Sequence, residues 1–394
     1  MFLRRKKFIP YGKQNIDFRD ILEVTKALKK EFITQGPIID KFENNFSLKV
    51  CANFSVAVSS ATCALHIACR ALGLKKGDIL WTSPITFVAS ANCGIYCGAT
   101  VDFVDITFDN GLIDLHKLEE KLIKAAKTNS LPKIIIPVHL GGASCDMRVL
   151  NYLSQKYNFK IIEDASHAVG GKYQNELVGS CKYSSITIFS FHPVKIITTG
   201  EGGMATTKDK ELANKMRKLR SHGITKNKND FIVKNQGDWY YEQQDIGYNY
   251  RLTDIQAALG LSQLKKLDDI LIKRKRIFEI YKTFFSKKNI FMQNIPSNVS
   301  SAYHLAIIFF KDIDAHTHKL IFNYMRNSKI GVQLHYLPVH LQPFYRKLGF
   351  KDGDFPVAEE YSKKVISLPI FPNLSKHEQD YVISTVHESI KKYT

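Results

Sequence analysis

A regular alternation of strand-like and helical segments between Asn53 and about Thr207 is the feature that most restricts the fold of this chain. Short apolar runs such as "FSVAVSS", "TVDFVDI" and "KIIIPVHL" are followed by segments of helical periodicity, for example Leu65, Ala68 and Leu72 in "ATCALHIACRALG". This alternation predicts an α/β fold with a mostly parallel sheet and helices on both of its faces. Such sheets bind ligands beyond the carboxyl ends of their strands, so functional side chains are expected at that edge.

A long helical stretch after Arg251 is predicted to lead into a smaller second domain. The stretch "LTDIQAALGLSQLKKLDDILIKRKRIFEIYKTFF" has helical periodicity throughout and begins with Thr253 and Asp254 in N-cap-like positions. Beyond it, "SSAYHLAIIFF", "NYMRNSKIGVQLHY" and a C-terminal amphipathic helix indicate an α+β unit. We therefore divide the chain into an N-terminal arm with a large domain, residues 1–265, and a small C-terminal domain, residues 266–394.

The net charge of +19 raises the question of a nucleic-acid partner. The basic residues lie in scattered runs such as "KDKELANKMRKLR" and "KKLDDILIKRKR", in which acidic residues occur at helical spacing. None of these runs has interleaved aromatic residues, and the sequence contains no helix-turn-helix or zinc-finger spacing. Solvated, lysine-rich helix faces are the better interpretation, and no nucleic-acid partner is expected.

The distribution of apolar residues and cysteines indicates the compartment. No apolar stretch reaches the length of a membrane span, and "MFLRRKKFIPYGKQN" lacks the apolar core of a secretory signal. The seven cysteines form no CxxC pair and have no zinc-ligand spacing. A cytoplasmic protein with reduced thiols, no membrane association and no metal site is therefore expected.

Two strand ends carry groups with possible chemistry. Lys195 follows an apolar, strand-like run in "FSFHPVKIITTGEGGM", and Asp164 ends the strand-like "FKIIED". Lys195 is either a surface residue with its stem over apolar side chains or an amine held in a cleft. Asp164, or its neighbour Glu163, could equally cap the turn that follows.

Two other strand ends add an anion site and an aromatic ring. In "SSATCALHIA", the backbone at Ala61 and the hydroxyl of Thr62 lie at the start of a helix, where free N–H groups attract anions. Helix capping is the alternative interpretation. Ser190 precedes Lys195 by five residues, and Phe87 in "SPITFVAS" offers either an aromatic face or a core side chain. Together, an amine, a carboxylate, an anion site and an aromatic plane match what pyridoxal 5′-phosphate (PLP) requires.

An ordered series of motifs over nearly the whole chain resembles the DegT/StrS family of sugar-nucleotide aminotransferases, which have the fold-type I architecture of PLP enzymes. The motifs are "FITQGPIIDKFE", "SSATCALHIA", "SPITFVASAN", "IIEDASHAVGG", "IFSFHPVKIITTGEGGM", "LRSHGI", "IGYNYRLTDIQAALG" and "IGVQLHYLPVH". Ala61 departs from this pattern, because many relatives have glycine there. Some relatives have histidine in place of the lysine and are dehydratases, so Lys195 favours transamination.

The resemblance implies a role for each matching residue. Lys195 is expected to be the catalytic lysine that forms the Schiff base, and Asp164 the partner of the pyridinium nitrogen. Asn249 is expected to reach the cofactor phosphate of a neighbouring subunit, which implies a homodimer with shared active sites. The remaining expected contacts are His167 beside the ring near the phenolic oxygen, Phe87 stacked on the pyridine, Ala61, Thr62 and Ser190 at the phosphate, and Tyr11, Arg251 and His335 near the sugar nucleotide. For His335, a structural role is an equal alternative.

The motif details also suggest the reaction. "SFHPVKIITTGEGG" resembles enzymes that aminate C4 of 4-keto-6-deoxy sugars, here UDP-2-acetamido-2,6-dideoxy-β-L-arabino-hex-4-ulose in pseudaminic acid biosynthesis. L-Glutamate is the expected donor, giving 2-oxoglutarate and pyridoxamine 5′-phosphate (PMP), and Lys195 is expected to move the proton in both halves. The alternatives are another UDP- or dTDP-linked 4-keto sugar, of the bacillosamine, perosamine or 4-amino-arabinose type, and a non-catalytic regulatory or PLP-binding homologue.

Overall fold

The computed structural model describes residues 8–234, 236–286 and 290–394. Its helices are α1 (Phe18–Leu28), α2 (Pro37–Val50), α3 (Ala61–Ala71), α4 (Ala89–Tyr96), α5 (Leu115–Lys127), α6 (Met147–Tyr157), α7 (Lys210–Arg220), α8 (Asp254–Lys265), α9 (Leu267–Phe285), α10 (Ala315–Asn327), α11 (Pro343–Arg346), α12 (Pro356–Ser362) and α13 (Lys376–Tyr393). Its strands are β1 (Phe54–Val58), β2 (Ile79–Thr82), β3 (Thr100–Phe103), β4 (Ile134–Ile136), β5 (Lys160–Asp164), β6 (Lys172–Tyr173), β7 (Glu176–Leu177), β8 (Ile186–Ser190), β9 (Gly203–Thr207), β10 (Ile224–Thr225), β11 (Glu242–Gln243), β12 (Ile290–Met292), β13 (Val299–Ser300), β14 (Ala306–Phe310) and β15 (Val365–Leu368).

A seven-stranded sheet in the order β1–β9–β8–β5–β4–β2–β3 forms the centre of the molecule. Strand β9 runs antiparallel to both of its neighbours, β1 and β8. The other four pairings, β8–β5, β5–β4, β4–β2 and β2–β3, are parallel. The predicted mostly parallel sheet is therefore confirmed, and β9 is its one antiparallel strand.

Both faces of this sheet are covered by helices, as its alternating side chains require. Val56 and Val58 of β1 belong to the same apolar cluster as Leu65 of α3. Ala57, between them in the sequence, belongs to a different cluster with Phe46 of α2. Successive residues of a strand point to opposite faces, so α3 covers one face and α2 the other.

A second, smaller unit surrounds the antiparallel sheet β12–β14–β15. Its core combines Phe278 of α9, Met325 of α10 and Val386 of α13 with Ile308 of β14. The helix before it differs from the prediction, because the single long helix is divided at Lys266. The N–H of Lys266 bonds back to carbonyls of α8, which therefore ends there. A domain division at 265/266 coincides with this break and remains our proposal.

Three further features concern the predicted compartment and ligands. No helix in the described ranges is both long and apolar enough to cross a membrane. All seven cysteines are free thiols. Within the same ranges, no group of three or more His, Cys, Asp or Glu side chains could hold a metal ion.

Candidate active site

A cavity of about 760 Å³ lies at the carboxyl edge of the parallel strands. Its wall includes Ser59 after β1, Phe87 after β2, Val138 after β4, Asp164 at the end of β5 and Ser190 at the end of β8. Parallel strands bring their carboxyl ends to one edge, which explains why residues so distant in sequence meet here. The small unit closes the cavity with residues 333–336.

The amine of Lys195 belongs to this cavity. Lys195 lies in a turn after β8, in which its backbone N–H donates to the carbonyl of His192 at 2.9 Å. Burial lowers the pKa of Lys195 from 10.5 to about 8, and the negative charge of Asp164 opposes this lowering. No described residue accepts a hydrogen bond from its Nζ, so the amine remains available to a ligand.

The carboxylate of Asp164 is held in place on both oxygens. Asp164 is 5% exposed. Ser90 Oγ donates to Oδ2 at 2.5 Å, and the N–H of Ser166 donates to Oδ1 at 3.1 Å. The bond from Ser166 is the turn cap that the alternative interpretation described. The same carboxylate also faces the cavity, so it serves both purposes.

Its neighbour Glu163 points elsewhere and does not line the cavity. It contacts His139 Nε2 at 2.8 Å and accepts from the hydroxyls of Ser184 and Thr187. A buried charge needs hydrogen-bonding partners, and these contacts provide them for Glu163 within the protein. Of the two adjacent acids, only Asp164 is available to a ligand.

The start of α3 offers hydrogen-bond donors to an anion. The N-cap Ser60 accepts the N–H of Cys63 at 3.2 Å. The N–H groups of Ala61 and Thr62 have no acceptor among the described residues, and both residues line the cavity. A Cβ on Gly203 would lie 2.5 Å from the nitrogen of Ala61, so the backbone of β9 approaches the helix end closely. Free N–H groups at a helix N-terminus suit a phosphate group.

Neutral histidines surround the amine. Burial lowers the pKa of His167, and the charge of Lys195 and the neighbouring His335 lower it further. Burial, followed by the charge of Lys195, lowers the pKa of His335 to about 3. His335 Nδ1 lies 2.8 Å from Ser367 Oγ, so this ring has both a structural contact and a place in the cavity wall. The same burial keeps His304 uncharged.

The structure brings most of the predicted residues together and leaves two outside. The predicted residues that line the cavity are Tyr11, Ala61, Thr62, Phe87, Asp164, His167, Ser190, Lys195 and His335. Phe87 is 58% exposed, so its ring is not a core side chain.

Asn249 and Arg251 do not line the cavity of their own chain. Asn249 is exposed, and its backbone pairs with Ser221. The backbone of Arg251 pairs with Val58, and no described residue forms an ion pair or hydrogen bond with its guanidinium group. Since no described residue holds either side chain, both are available to another molecule.

Among the cavity and supporting residues that were missed from the sequence are Ser90, Ser166, His304 and Tyr336. Ser90 and Ser166 lie inside the quoted motifs "SPITFVASAN" and "IIEDASHAVGG", so attention to hydroxyls near Asp164 could have found them. Tyr336 follows the predicted His335 inside the quoted motif "IGVQLHYLPVH", so this motif could have pointed to it, whereas His304 comes from the small unit with no local pattern that indicates its place at the sheet edge.

The model of the DegT/DnrJ/EryC1/StrS aminotransferase family matches residues 14–387. The chain belongs to this family. The predicted family and the predicted enzyme class, an aminotransferase, are thus confirmed. Among curated family members, a UDP-4-amino-4,6-dideoxy-N-acetyl-β-L-altrosamine transaminase from Campylobacter jejuni is 39% identical, over 98% of each chain. The spore coat polysaccharide biosynthesis protein SpsC from Bacillus subtilis is 38% identical, over 99% of each chain.

Solved structures of aminotransferases have the same fold. Helicobacter pylori PseC, an aminotransferase involved in pseudaminic acid biosynthesis, has a TM-score of 0.90 at 31% identity, covering 98% of this chain and 100% of PseC. A putative sugar aminotransferase from Streptococcus pneumoniae, solved in a PMP-form, has the same TM-score and identity over the same coverage. The predicted fold-type I architecture is therefore confirmed.

Proposed function

We propose that this aminotransferase moves an amino group from L-glutamate to C4 of a UDP-linked 4-keto-6-deoxy-N-acetylhexosamine, UDP-2-acetamido-2,6-dideoxy-β-L-arabino-hex-4-ulose. The observation that carries the proposal is the cavity in which the Lys195 amine, the Asp164 carboxylate and the N-terminus of α3 meet. The choice of sugar is supported by the names of the Campylobacter and Helicobacter relatives. The reaction then belongs to pseudaminic acid biosynthesis.

The cofactor is PLP, which alternates with PMP, as the PLP-form and PMP-form of the Streptococcus relative support. When bound, PLP supplies an electron-accepting ring that carries the amino group between the two substrates. The donor set of the cavity fits this group. The free N–H groups of Ala61 and Thr62 and the hydroxyl of Ser190 would hold the phosphate, Asp164 would hold the ring nitrogen, and the exposed ring of Phe87 would cover the pyridine.

Lys195 supplies the amine and moves the proton. With a pKa of about 8, it is partly unprotonated near neutral pH and can accept a proton from the carbon that carries the donor's amino group. It can return a proton to C4 of the sugar in the second half of the reaction. The uncharged histidines next to it add no positive charge that would oppose either transfer.

A second copy of this chain would complete the site. We propose a homodimer in which Asn249 of one subunit reaches the phosphate site of the other and Arg251 lies near the diphosphate of the sugar nucleotide. The exposure of Asn249 supports this arrangement, as does the guanidinium of Arg251, which has no hydrogen-bond or ion-pair partner among the described residues. Tyr11 and His335, whose rings lie 5.5 Å apart in the cavity wall, would contact the same substrate.

Another nucleotide sugar is the second candidate substrate. A GDP-perosamine synthase from Escherichia coli is 32% identical over 97% of this chain. A related ketone linked to a different nucleotide would use the same chemistry at Lys195 and Asp164. The test must therefore compare the response of the protein to different nucleotide-linked keto sugars.

The experiment follows the absorption of the purified, PLP-loaded protein. We expect L-glutamate to abolish the visible band and the UDP-linked L-arabino ketone to restore it, with 2-oxoglutarate and amino sugar formed in equal amounts. Lys195→Ala is the control and should fail to respond to glutamate. If another keto sugar restores the band far better, the protein is still an aminotransferase but the proposed sugar is wrong. If the wild-type protein forms no band with PLP, the proposed function is wrong.

A further inference from the structure

The hydroxyl of Tyr336 lies in the cavity wall and contacts His167. Its oxygen is 3.2 Å from His167 Nε2, and no other described residue is bonded to it. Tyr336 belongs to the small unit, whereas His167 follows β5 in the large one. The contact therefore joins the two halves of the chain at the cavity, within reach of a ligand.

The backbone decides which nitrogen of His167 carries the proton. The N–H of Gly141 points at His167 Nδ1 from 3.3 Å, and an N–H can donate only to a nitrogen without a proton. The pKa of His167 is lowered by burial and by the charge of Lys195, so the ring is neutral. Its single proton is therefore on Nε2, and Nε2 donates to the oxygen of Tyr336.

The hydroxyl hydrogen of Tyr336 is consequently unused. Burial, with the charge of Asp164 beside it, raises the pKa of Tyr336, so the phenol keeps its proton. A phenol that accepts a hydrogen bond still has one hydrogen to donate. No described residue accepts this hydrogen, and leaving it unpaired in a cavity closed by a ligand would cost free energy.

We propose that Tyr336 donates its hydroxyl hydrogen to an oxygen atom of the bound ligand, and that His167 acts on this ligand by orienting that hydroxyl. The inference rests on the proposed function, which gives two sources for such an oxygen: the phenolic oxygen of the cofactor and an oxygen of the nucleotide sugar. The sequence placed His167 beside the ring, near the phenolic oxygen, and this inference adds that its one proton is used on Tyr336.

Four variants distinguish hydrogen-bond donation by Tyr336 from a purely structural role of its side chain. Tyr336→Phe removes the donor and keeps the ring. His167→Ala removes the group that orients it, whereas His167→Gln retains an N–H donor at the end of the side chain. Tyr361→Phe is the matched control, because it deletes a buried tyrosine hydroxyl that has no hydrogen-bond partner in the described part of the chain and lies outside the cavity wall.

Three quantities are measured for each variant: the dissociation constant of PMP from the cofactor-free protein, the position of the visible band with PLP, and KM for the nucleotide sugar. If the acceptor is the cofactor oxygen, Tyr336→Phe should weaken PMP binding about tenfold and shift the band. If it is a sugar oxygen, KM should rise about tenfold while PMP affinity and the band stay unchanged.

The double variant tests the role of His167. We expect His167→Ala to cause a loss of similar size and to add nothing when Tyr336 is already phenylalanine. His167→Gln should recover most of that loss. Equal thermal unfolding of all variants shows that the comparison concerns folded proteins.

Two results would overturn the inference. One is a Tyr336→Phe protein in which all three quantities match those of Tyr361→Phe. The other is a full additional loss from His167→Ala in the Tyr336→Phe background, since His167 would then act directly. A wild-type protein that binds neither PMP nor the sugar would instead contradict the proposed function, and with it the ligand on which this inference depends.

Discussion

The lowered pKa of Lys195 makes a quantitative prediction about its reactivity. With a pKa of about 8 in place of 10.5, about a quarter of the amine is unprotonated at pH 7.5, against roughly 0.1% for an ordinary lysine. Because Asp164 opposes the lowering, Asp164→Asn should lower the pKa of Lys195 further. The opposite direction is expected for Lys182, whose ion pair with Glu176 raises its pKa.

Competitive labelling of the cofactor-free protein measures this directly. Trace acetic anhydride modifies unprotonated amines, and mass spectrometry of the peptides gives the labelling rate of each lysine at each pH. We expect a midpoint near pH 8 for Lys195, a lower midpoint for Lys195 in Asp164→Asn, and for Lys182 a midpoint raised from the ordinary lysine value. A midpoint near 10.5 for Lys195 would refute the argument from burial. A higher Lys195 midpoint in Asp164→Asn than in the wild-type protein would refute the claim that the charge of Asp164 opposes the lowering of the Lys195 pKa.

Three further predictions concern stability and assembly. Asp254 is fully buried and accepts the N–H groups of Gly36 and Ile38, so Asp254→Ala should lower the free energy of unfolding in urea by about 3 kcal/mol, and Asp254→Asn by less. Lys195→Met should stabilise the cofactor-free protein by up to about 3 kcal/mol below pH 8, and this gain should shrink as the pH rises from 8 and vanish above 10.5, where the lysine is mostly neutral in both the folded and the unfolded state. Mixing inactive Lys195→Ala and Asn249→Ala proteins should restore about a quarter of wild-type activity, since each hybrid dimer contains one intact site, and no recovery would contradict a shared site.

The sequence was sufficient for the parts of the site that follow from strand order. Asp164 and Ser190 end strands that were recognised from apolar runs, and the carboxyl ends of parallel strands meet whatever the details of packing. Lys195 and Thr62 follow such strands within a few residues. Predicting that these four residues meet at one site needed only the correct assignment of strands and helices.

The rest of the site depends on packing between distant segments. Tyr336 reaches His167 across 169 residues of sequence, through the position of the small unit on the large one. Ser90 supports Asp164 from helix α4, 74 residues away. The break at Lys266 was also missed, because the helical periodicity of the sequence continues across it.

Gly203 links the turn of Lys195 to the anion site, and it gives a test of that link. Strand β9 returns from this turn so close to α3 that a Cβ on Gly203 would meet Ala61 N at 2.5 Å and the carbonyl oxygen of Ser60 at 2.6 Å. These are backbone atoms, which cannot move aside as a flexible side chain would, so Gly203→Ala should displace the start of α3. We expect weaker PMP binding and a lower free energy of unfolding. Gly12→Ala is the control, because its nearest contact is an ordinary 3.6 Å. Unchanged PMP affinity in Gly203→Ala would mean that the free N–H groups of α3 do not hold the phosphate.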